Sequence, residues 1–147
     1  MEDSFLYFGY GSGLNPTIVG FRVNSPVVIL QKGTLKDYCF KFNRLNPDGS
    51  ARGNLCQKIN ELTLGLIYQI SKSKFELLAM TEPEYDLIEF DIETEEGVKK
   101  AFAFICKHTE ENIYPEEKYL SHILEYAVDN NFPEDYIQKI RMQAKAK

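Results

Sequence analysis

Three glycines at alternate positions follow an apolar segment near the start of the chain, in the sequence Phe5-Leu6-Tyr7-Phe8-Gly9-Tyr10-Gly11-Ser12-Gly13-Leu14-Asn15. The apolar run predicts a short strand that is buried on both faces. Glycine allows positive φ and lets a ligand approach the backbone closely. Consecutive N–H groups in such a loop converge on a carboxylate or a phosphate. We therefore expect an anion-binding loop here, and the alternative is a tight turn without a ligand.

The spacing of the glycines argues against a nucleotide site. A Rossmann fingerprint requires glycine two and five positions after the first one, and counting from Gly9 the fifth position is Leu14. The Gly-Lys-Ser/Thr signature of a P-loop is also missing from the sequence. A nucleophilic pair between Ser12 and a histidine stays open, but neither His108 nor His122 lies in a supporting motif.

A second candidate is a glutamate where an apolar segment ends against a proline. Glu82 follows residues 77–81 (Leu-Leu-Ala-Met-Thr) and precedes Pro83. A carboxylate held among Leu, Met and Tyr side chains is desolvated, which raises its pKa as a general base requires. The alternative is a solvated glutamate at a helix end, the usual situation for this residue type. Glu84 competes for the same role, and spacing does not choose between the two.

The remaining chemically capable residues carry weaker signals. Tyr119 lies on a predicted helix, where a tyrosine is ordinarily a core residue whose hydroxyl finds a partner. Cys39, Cys56 and Cys106 are odd in number and far apart, which favours free buried thiols over a disulfide framework. Neither the cysteines nor the histidines have metal-ligand spacing, so we expect no metal site.

Strands dominate the first two thirds of the sequence, and helices dominate the end. Strands are predicted at 5–8, 27–43 with a bulge at Gly33, 53–59, 62–70, 87–92 and 98–106. One helical turn is predicted after Asn15 and Pro16, residues 20–26 are expected to be irregular, and later helices are predicted at 73–82, 115–128 and 133–140. Ile88, Phe90 and Ile92 are expected on a buried face. This element order is typical of an α+β fold with a largely antiparallel or mixed sheet.

Composition limits the class of protein. The 147 residues, 44% apolar and 27% charged, suit a single domain over residues 1–147. A net charge of −5 argues against a nucleic-acid-binding surface, and the longest apolar runs are too short for a membrane span. The acidic start Met1-Glu2-Asp3 does not resemble a signal peptide, so a cytoplasmic location is expected.

Together these segments resemble the gamma-glutamylcyclotransferase family, the AIG2-like and cyclotransferase-like proteins, from Leu6 to about Ile140. Tyr10–Leu14 is similar to the Tyr-Gly-Ser-Asn-Leu loop of the family, and Leu78–Pro83 is similar to its Leu-Asp-x-x-Glu-Gly segment. Further similar segments are Gly33–Tyr38, the surroundings of Gly53, Leu64–Tyr68, Tyr119–Ile123 and Phe132–Tyr136.

The resemblance implies a small mixed or antiparallel β-barrel with flanking helices. It also implies an enzyme that converts a γ-glutamyl amine or peptide to 5-oxoproline and a free amine, with Glu82 as general acid/base. The implied substrate-binding residues are Tyr10, Gly11, Ser12, Gly13, Leu14 and Tyr119. The reaction requires no metal or cofactor. The expected partner is a small γ-glutamyl molecule, not a nucleic acid or a membrane, and a homodimer is compatible with the sequence.

Two residues depart from the family pattern. Gly13 replaces Asn and removes a side-chain amide from the loop, and Pro83 replaces the Gly after the glutamate and stiffens the backbone there. The family tyrosine beyond that glutamate has no clear match, since Phe90 lies near its position. These departures motivate the alternative of a non-catalytic family member that binds a small carboxylate or a protein partner.

Overall fold

Residues 3–145 form a β-barrel with helices packed around it, as described by a computed structural model. The strands are β1 (Ser4–Gly9), β2 (Val28–Leu45), β3 (Ala51–Ser71), β4 (Asp86–Thr94) and β5 (Gly97–Ile105). The helices are α1 (Pro16–Val23), α2 (Phe75–Met80), α3 (Glu117–Asp129) and α4 (Glu134–Gln143), with 3₁₀ turns at Ser12–Leu14 and Lys72–Lys74. Met1 and Glu2, on which the expected cytoplasmic location partly depends, lie outside the described residues.

The sheet closes on itself in the strand order β1-β3-β2-β4-β5. Neighbouring strands are antiparallel except β1 and β5, which run parallel with Tyr7 opposite Phe102. Closure pairs the two edges that an open sheet would leave exposed. The arrangement confirms the predicted α+β fold with a small, mostly antiparallel barrel.

The longest strand, β3, is a single element where the sequence predicts two. The prediction placed a junction near Asn60-Glu61, and Asn60 does have a positive φ of 69°. The pairing of β3 with β2 nevertheless continues on both sides of it, from Leu45 opposite Ala51 to Val28 opposite Gln69. Gln57 pairs with Tyr38 and Leu62 pairs with Lys36, so residues 58–61 bulge opposite one residue of β2 and the ladder resumes in a shifted register. The predicted turn at 46–50 is confirmed, with the Asn46 N–H donating to the Ser50 carbonyl at 2.8 Å.

The predicted bulge at Gly33 is wrong. Gly33 lies in regular register opposite Gly65, and the irregularities of β2 fall elsewhere, between Ile29 and Gln31, Lys36 and Tyr38, and Phe42 and Arg44. A Cβ atom at Gly33 would lie 2.5 Å from Ile92 Cγ2 on β4. The glycine therefore allows a close approach of a neighbouring side chain, the other common reason for glycine inside a strand.

Helix α1 begins as predicted and runs further than predicted. The Asn15 side chain accepts a hydrogen bond from the Thr17 N–H at 2.9 Å, and Pro16 occupies the first helical position. The helix continues through Val23, so the expectation of irregular structure from residue 20 is wrong for its second turn. It ends at Asn24, which adopts the left-handed conformation with φ 52°. The extra turn carries Arg22, which reaches the site described below.

The hairpin of β4 and β5 is confirmed, but the predicted buried face of β4 is only partly correct. Ile92 is fully buried, whereas Ile88 is 39% exposed. Strand β4 pairs with β2 only near its end, at Glu93 opposite Thr34, so its first half extends beyond the wall of the barrel.

The interior of the barrel is filled by aromatic and aliphatic side chains. Phe8, Ile67 and Tyr68 are completely buried, and α3 covers this core through Ile123 and Ala127. The stripe of α3 confirms the predicted amphipathic helix and turns the face with Tyr119 towards the glycine loop. None of the helices within residues 3–145 is long and apolar enough to cross a lipid bilayer.

Candidate active site

The glycine loop folds tightly back on the end of β1. The 3₁₀ turn is formed by hydrogen bonds from the Leu14 N–H to the Gly11 carbonyl and from the Asn15 N–H to the Ser12 carbonyl. A Cβ atom at Gly9 would lie 2.3 Å from the Gly13 carbonyl oxygen, so only glycine permits this approach. The Tyr68 hydroxyl donates to the same carbonyl at 2.6 Å. The loop is thus held to the core.

Glu82 enters the site from a turn that follows α2. The Tyr85 N–H donates to the Glu82 carbonyl at 3.0 Å, which places Pro83 at the second position of a four-residue turn. Proline is favoured there because its fixed φ matches the turn. Pro83 therefore stabilises the turn that directs Glu82 into the site. Only 8% of the Glu82 surface is exposed.

Two guanidinium groups hold the Glu82 carboxylate. Arg52, near the start of β3, binds it through both terminal nitrogens, with Nη1 2.7 Å from Oε2 and Nη2 2.6 Å from Oε1. Arg22 Nη2 lies 3.2 Å from Oε1 and also donates to Ser12 Oγ at 2.9 Å. The sequence predicted an apolar environment for Glu82, and that prediction is wrong because the fold brings two distant arginines to it. The resulting network joins the glycine loop to the glutamate.

A small cavity lies between the loop and the glutamate, with a volume of about 30 Å³. It is lined by Tyr7, Tyr10, Gly11, Ser12, Gly13, Arg22, Arg52, Gly53, Glu82, Tyr85, Phe104 and Tyr119. We call this set the Glu82 pocket. Its charged groups are two guanidiniums and one carboxylate, and its remaining walls are tyrosines, glycines, one serine and one phenylalanine.

Three pocket tyrosines are anchored through their hydroxyl groups. The Tyr10 hydroxyl donates to the Phe104 carbonyl at 2.6 Å, and the Tyr85 hydroxyl donates to the Gly53 carbonyl at 2.8 Å. The Tyr119 hydroxyl accepts from the Gly53 N–H at 2.9 Å. These bonds fix the aromatic walls, because each ring is held at its polar end as well as by packing.

Burial keeps these tyrosines protonated. Desolvation raises the pKa of Tyr7 and Tyr119, and it raises the pKa of Tyr10 well above the ordinary value. Burial also raises the pKa of Tyr85. For Arg52, burial works against the charge, but the ion pair with Glu82 outweighs it and raises the pKa of the guanidinium. Among the residues that line the pocket, Glu82 supplies the carboxylate, the type of group that can accept a proton.

The structure brings most of the predicted residues together. Gly11, Ser12, Gly13, Tyr119 and Tyr10 line the Glu82 pocket, although the Tyr10 hydroxyl is already engaged with the backbone.

Two predicted candidates lie away from the pocket. Leu14 is 1% exposed in the hydrophobic core and is not part of the pocket lining. Glu84, the competing carboxylate, has a side chain 66% exposed, and its nearest cation is Arg44, with Nη2 3.6 Å from Oε2.

The histidine and metal alternatives gain no support from this geometry. Ser12 Oγ accepts a hydrogen bond from Arg22. His122 lies outside the Glu82 pocket but lines a neighbouring cavity with Ser12, and within residues 3–145 no hydrogen bond joins the Ser12 hydroxyl to either histidine. No group of three or more His, Cys, Asp or Glu side chains in the same range is arranged to hold a metal ion.

Six pocket residues were missed by the sequence reasoning: Tyr7, Arg22, Arg52, Gly53, Tyr85 and Phe104. A weak signal existed for Arg52, a charged residue directly before the strand predicted at 53–59. Tyr85 stands three residues after Glu82, but it was considered only as an apolar neighbour of the carboxylate.

The sequence is similar to a known protein family over much of its length. The AIG2-like family matches residues 63–140, which is more than half of the chain. The chain belongs to the AIG2-like family. The matched segment of this AIG2-like protein includes Glu82, Tyr85 and Tyr119, whereas the glycine loop and both arginines lie before it.

Named relatives of this AIG2-like protein are cyclotransferases. A mouse protein named gamma-glutamylcyclotransferase is 25% identical over 148 positions, covering 95% of this chain and 78% of the mouse chain. A solved structure named gamma-glutamyl cyclotransferase superimposes with a TM-score of 0.86 at 22% identity, covering 99% of this chain and 90% of the other. A yeast gamma-glutamyl cyclotransferase specific to glutathione gives a TM-score of 0.64 at 13% identity, covering 96% and 95%. The structural comparisons establish the shared fold.

Proposed function

We propose that this protein is a γ-glutamyl cyclotransferase, which converts a small γ-glutamyl amine or peptide to 5-oxoproline and the free amine. The observation that carries the proposal is the buried Glu82 carboxylate facing the glycine loop across one small pocket. Membership of the AIG2-like family and the barrel shared with named cyclotransferases support the same reaction. We place the reaction in the cytoplasm, in keeping with the sequence prediction.

The chemistry requires a proton acceptor and an oxyanion donor. The α-ammonium group of the substrate gives a proton to Glu82, and the resulting amine attacks the γ-carbonyl carbon. A new C–N bond closes the five-membered ring, and the old amide C–N bond breaks as Glu82 gives its proton to the leaving nitrogen. Glu82 then takes the second proton from the ring nitrogen and passes it to the released amine, which leaves as an ammonium ion. Such acid–base catalysis contributes about 10²–10⁴-fold in rate. Atoms and charge balance without a metal or a cofactor.

Loop N–H groups are suited to the negative charge that develops on the γ-carbonyl oxygen. The amides of Leu14 and Asn15 are used inside the turn. Gly11, Ser12 and Gly13 line the pocket, and within residues 3–145 their N–H groups have no backbone acceptor among the turn and loop hydrogen bonds. We assign these three amides to substrate binding.

The departures at Gly13 and Pro83 are compatible with this function. A Cβ atom at Gly13 would lie 3.2 Å from the Tyr7 hydroxyl, so a larger residue would crowd the pocket wall. The brace that a side-chain amide could supply is provided here by Tyr68 on the Gly13 carbonyl and Arg22 on Ser12. Pro83 fits its turn.

The decisive experiment is product formation. Purified protein is incubated with a panel of γ-glutamyl amino acids and γ-glutamyl amines, and 5-oxoproline is measured. We expect at least one substrate to give product at a rate far above that of Glu82→Gln. The absence of product above the Glu82→Gln background, across the whole panel, would refute the enzymatic proposal.

One observation favours a second candidate, a binding protein without turnover. Both oxygens of Glu82 already accept hydrogen bonds from guanidinium groups. A protein whose glutamate stays in this ion pair would bind a small carboxylate but would not deprotonate an ammonium group. Calorimetric binding of glutamate or 5-oxoproline, together with no product formation, would identify this candidate.

A further inference from the structure

The charge of the Glu82 pocket favours an anionic ligand. Its lining contains the guanidiniums of Arg22 and Arg52 and the carboxylate of Glu82, and its other residues are uncharged. One positive charge is therefore in excess. Low-dielectric walls strengthen the attraction between that charge and an anion.

The two arginines are held differently. Arg22 has a side chain 13% exposed and is shared between Glu82 and Ser12 Oγ, which makes it a fixed brace between the glutamate and the loop. Arg52 is 28% exposed, and its guanidinium carbon lies 5.8 Å from the centre of the Tyr85 ring. Both of its terminal nitrogens bind Glu82, and the Tyr119 hydroxyl is a second polar neighbour. Arg52 is thus the arginine that can change partner without releasing the loop.

The Arg52–Glu82 pair occupies the charged side of the pocket. A carboxylate offers about four lone-pair positions. On Glu82, each oxygen accepts one hydrogen bond from Arg52, and Arg22 forms an ion pair with Oε1 at 3.2 Å. Both terminal nitrogens of Arg52 are thus used by Glu82. A ligand carboxylate that is to make a two-pronged contact with Arg52 must therefore displace Glu82 from it.

We propose that Arg52 recognises the α-carboxylate of the substrate and exchanges Glu82 for it on binding. An α-amino acid group carries both charges needed for this exchange. Its carboxylate replaces the chemically identical Glu82 carboxylate in the two-pronged contact with Arg52, and its ammonium binds the oxygens of Glu82 that Arg52 has released. One ion pair is broken and two are formed. The pocket then selects ligands that carry a free α-carboxylate beside a free α-ammonium.

This assignment rests on the proposed function for turnover, and it makes its own prediction about discrimination. Two substrates are compared: a γ-glutamyl dipeptide, and the same compound with the α-carboxylate of its glutamyl residue converted to a carboxamide. We expect the unmodified protein to prefer the carboxylate by about 100-fold in kcat/KM, the loss of a charge-assisted two-pronged contact. In Arg52→Gln the preference should fall to about threefold or less, through loss on the carboxylate substrate alone.

The matched control is Arg44→Gln. Arg44 lies opposite Arg52 in the β2–β3 register and also pairs with a glutamate, but it is outside the pocket lining. This variant removes the same charge and should keep the full preference. An unchanged preference in Arg52→Gln would overturn the proposal. A rise in kcat/KM on both substrates in Arg52→Gln would also overturn it, since Arg52 would then only block Glu82.

A binding measurement separates this proposal from the proposed function. Calorimetry compares L-glutamate with its α-carboxamide, L-isoglutamine, on the unmodified protein and on both variants, and it requires no turnover. A preference for glutamate that Arg52→Gln abolishes, without any 5-oxoproline production, would uphold Arg52 and refute catalysis. Production of 5-oxoproline, together with equal binding of glutamate and isoglutamine, would uphold catalysis and refute the role of Arg52. If Arg52→Gln fails to fold, Arg52→Lys replaces it, because lysine keeps the charge and lacks the planar fork; a full preference in that variant would overturn the proposal.

Discussion

Two arginine–glutamate pairs lie close together on this barrel and differ chiefly in their glutamates, since the Glu82 side chain is 11% exposed and the Glu84 side chain 66%. Arg44 and Arg52 face each other across β2 and β3, and their partners Glu84 and Glu82 are two residues apart. The Arg52–Glu82 pair is buried and makes two contacts of 2.6 and 2.7 Å. The Arg44–Glu84 pair has one contact of 3.6 Å, and its glutamate is exposed.

The comparison shows how burial gives the same two residue types different roles. Exposed ion pairs contribute about 0–1 kcal/mol to stability because water and salt screen them. In a buried pair each charge depends on its partner, so removing one partner costs roughly 3–5 kcal/mol. The turn at Pro83 turns one glutamate inwards and leaves the next in solvent. The predictions below test this contrast.

The largest expected effect concerns catalysis. Glu82→Gln should lower kcat by about 10²–10⁴-fold, because the amide cannot accept the proton from the substrate. Glu84→Gln should stay within about twofold of the unmodified protein, since its side chain lies outside the pocket. Steady-state formation of 5-oxoproline measures both. Comparable losses in the two variants would contradict the choice of Glu82 over Glu84.

The same contrast should appear in stability. Glu82→Ala leaves Arg22 and Arg52 without their buried counter-charge and should reduce the free energy of unfolding by about 3 kcal/mol. Glu84→Ala should change it by less than about 0.5 kcal/mol. Urea unfolding followed by circular dichroism gives both values. A small loss in Glu82→Ala, with an unchanged m-value, would mean that the buried pair is not a constraint on the fold.

The loop beside the buried pair should be sensitive at one glycine and tolerant at another. Gly9→Ala places a methyl group where the Gly13 carbonyl oxygen lies, at 2.3 Å, and should cost about 2 kcal/mol of stability. Gly11→Ala places its methyl group 3.5 Å from the Phe40 ring, an ordinary contact, and should cost less than about 0.5 kcal/mol. Thermal unfolding compares the two, and equal losses would argue against the close approach at Gly9.

The smallest effect distinguishes the pairs by their response to salt. A double-mutant cycle on Arg44 and Glu84 should give a coupling of about 0.2–1 kcal/mol that disappears at about 1 M NaCl. The cycle on Arg52 and Glu82 should keep most of its coupling at that salt concentration, because screening is weak for a buried pair. Loss of both couplings to the same extent would mean that solvent reaches Glu82 freely.

Local sequence signals predicted much of the fold. The apolar run before Gly9, the cap at Asn15 and the turn at 46–50 each depend on neighbouring residues, and the structure contains all three. The continuity of β3 was missed because Asn60 is a typical turn residue, whereas β2 pairs with β3 on both sides of a bulge at residues 58–61. Only the partner strand supplies that information.

Only part of the candidate site was predictable, because some of its residues meet only through long-range strand and helix packing. Resemblance to a known family indicated Glu82 and the glycine loop. Arg22 and Arg52 come from a helix and a strand that are distant in sequence, and barrel closure brings them to the glutamate. No local pattern encodes such a contact, so the expected apolar environment of Glu82 was wrong.

Strand β3 forms part of the barrel wall and also carries Arg52. The register in which β3 pairs therefore decides whether Arg52 reaches the pocket. Side chains alternate between faces, so a one-residue slip would turn the guanidinium out of the pocket while leaving most ladder hydrogen bonds available. The irregularities in β2 pin the pairing at three places along this ladder. A barrel closed in the wrong register would resemble the native protein in secondary structure but would not bind its ligand. Ligand binding therefore reports whether the barrel has closed in the correct register, which circular dichroism alone would miss.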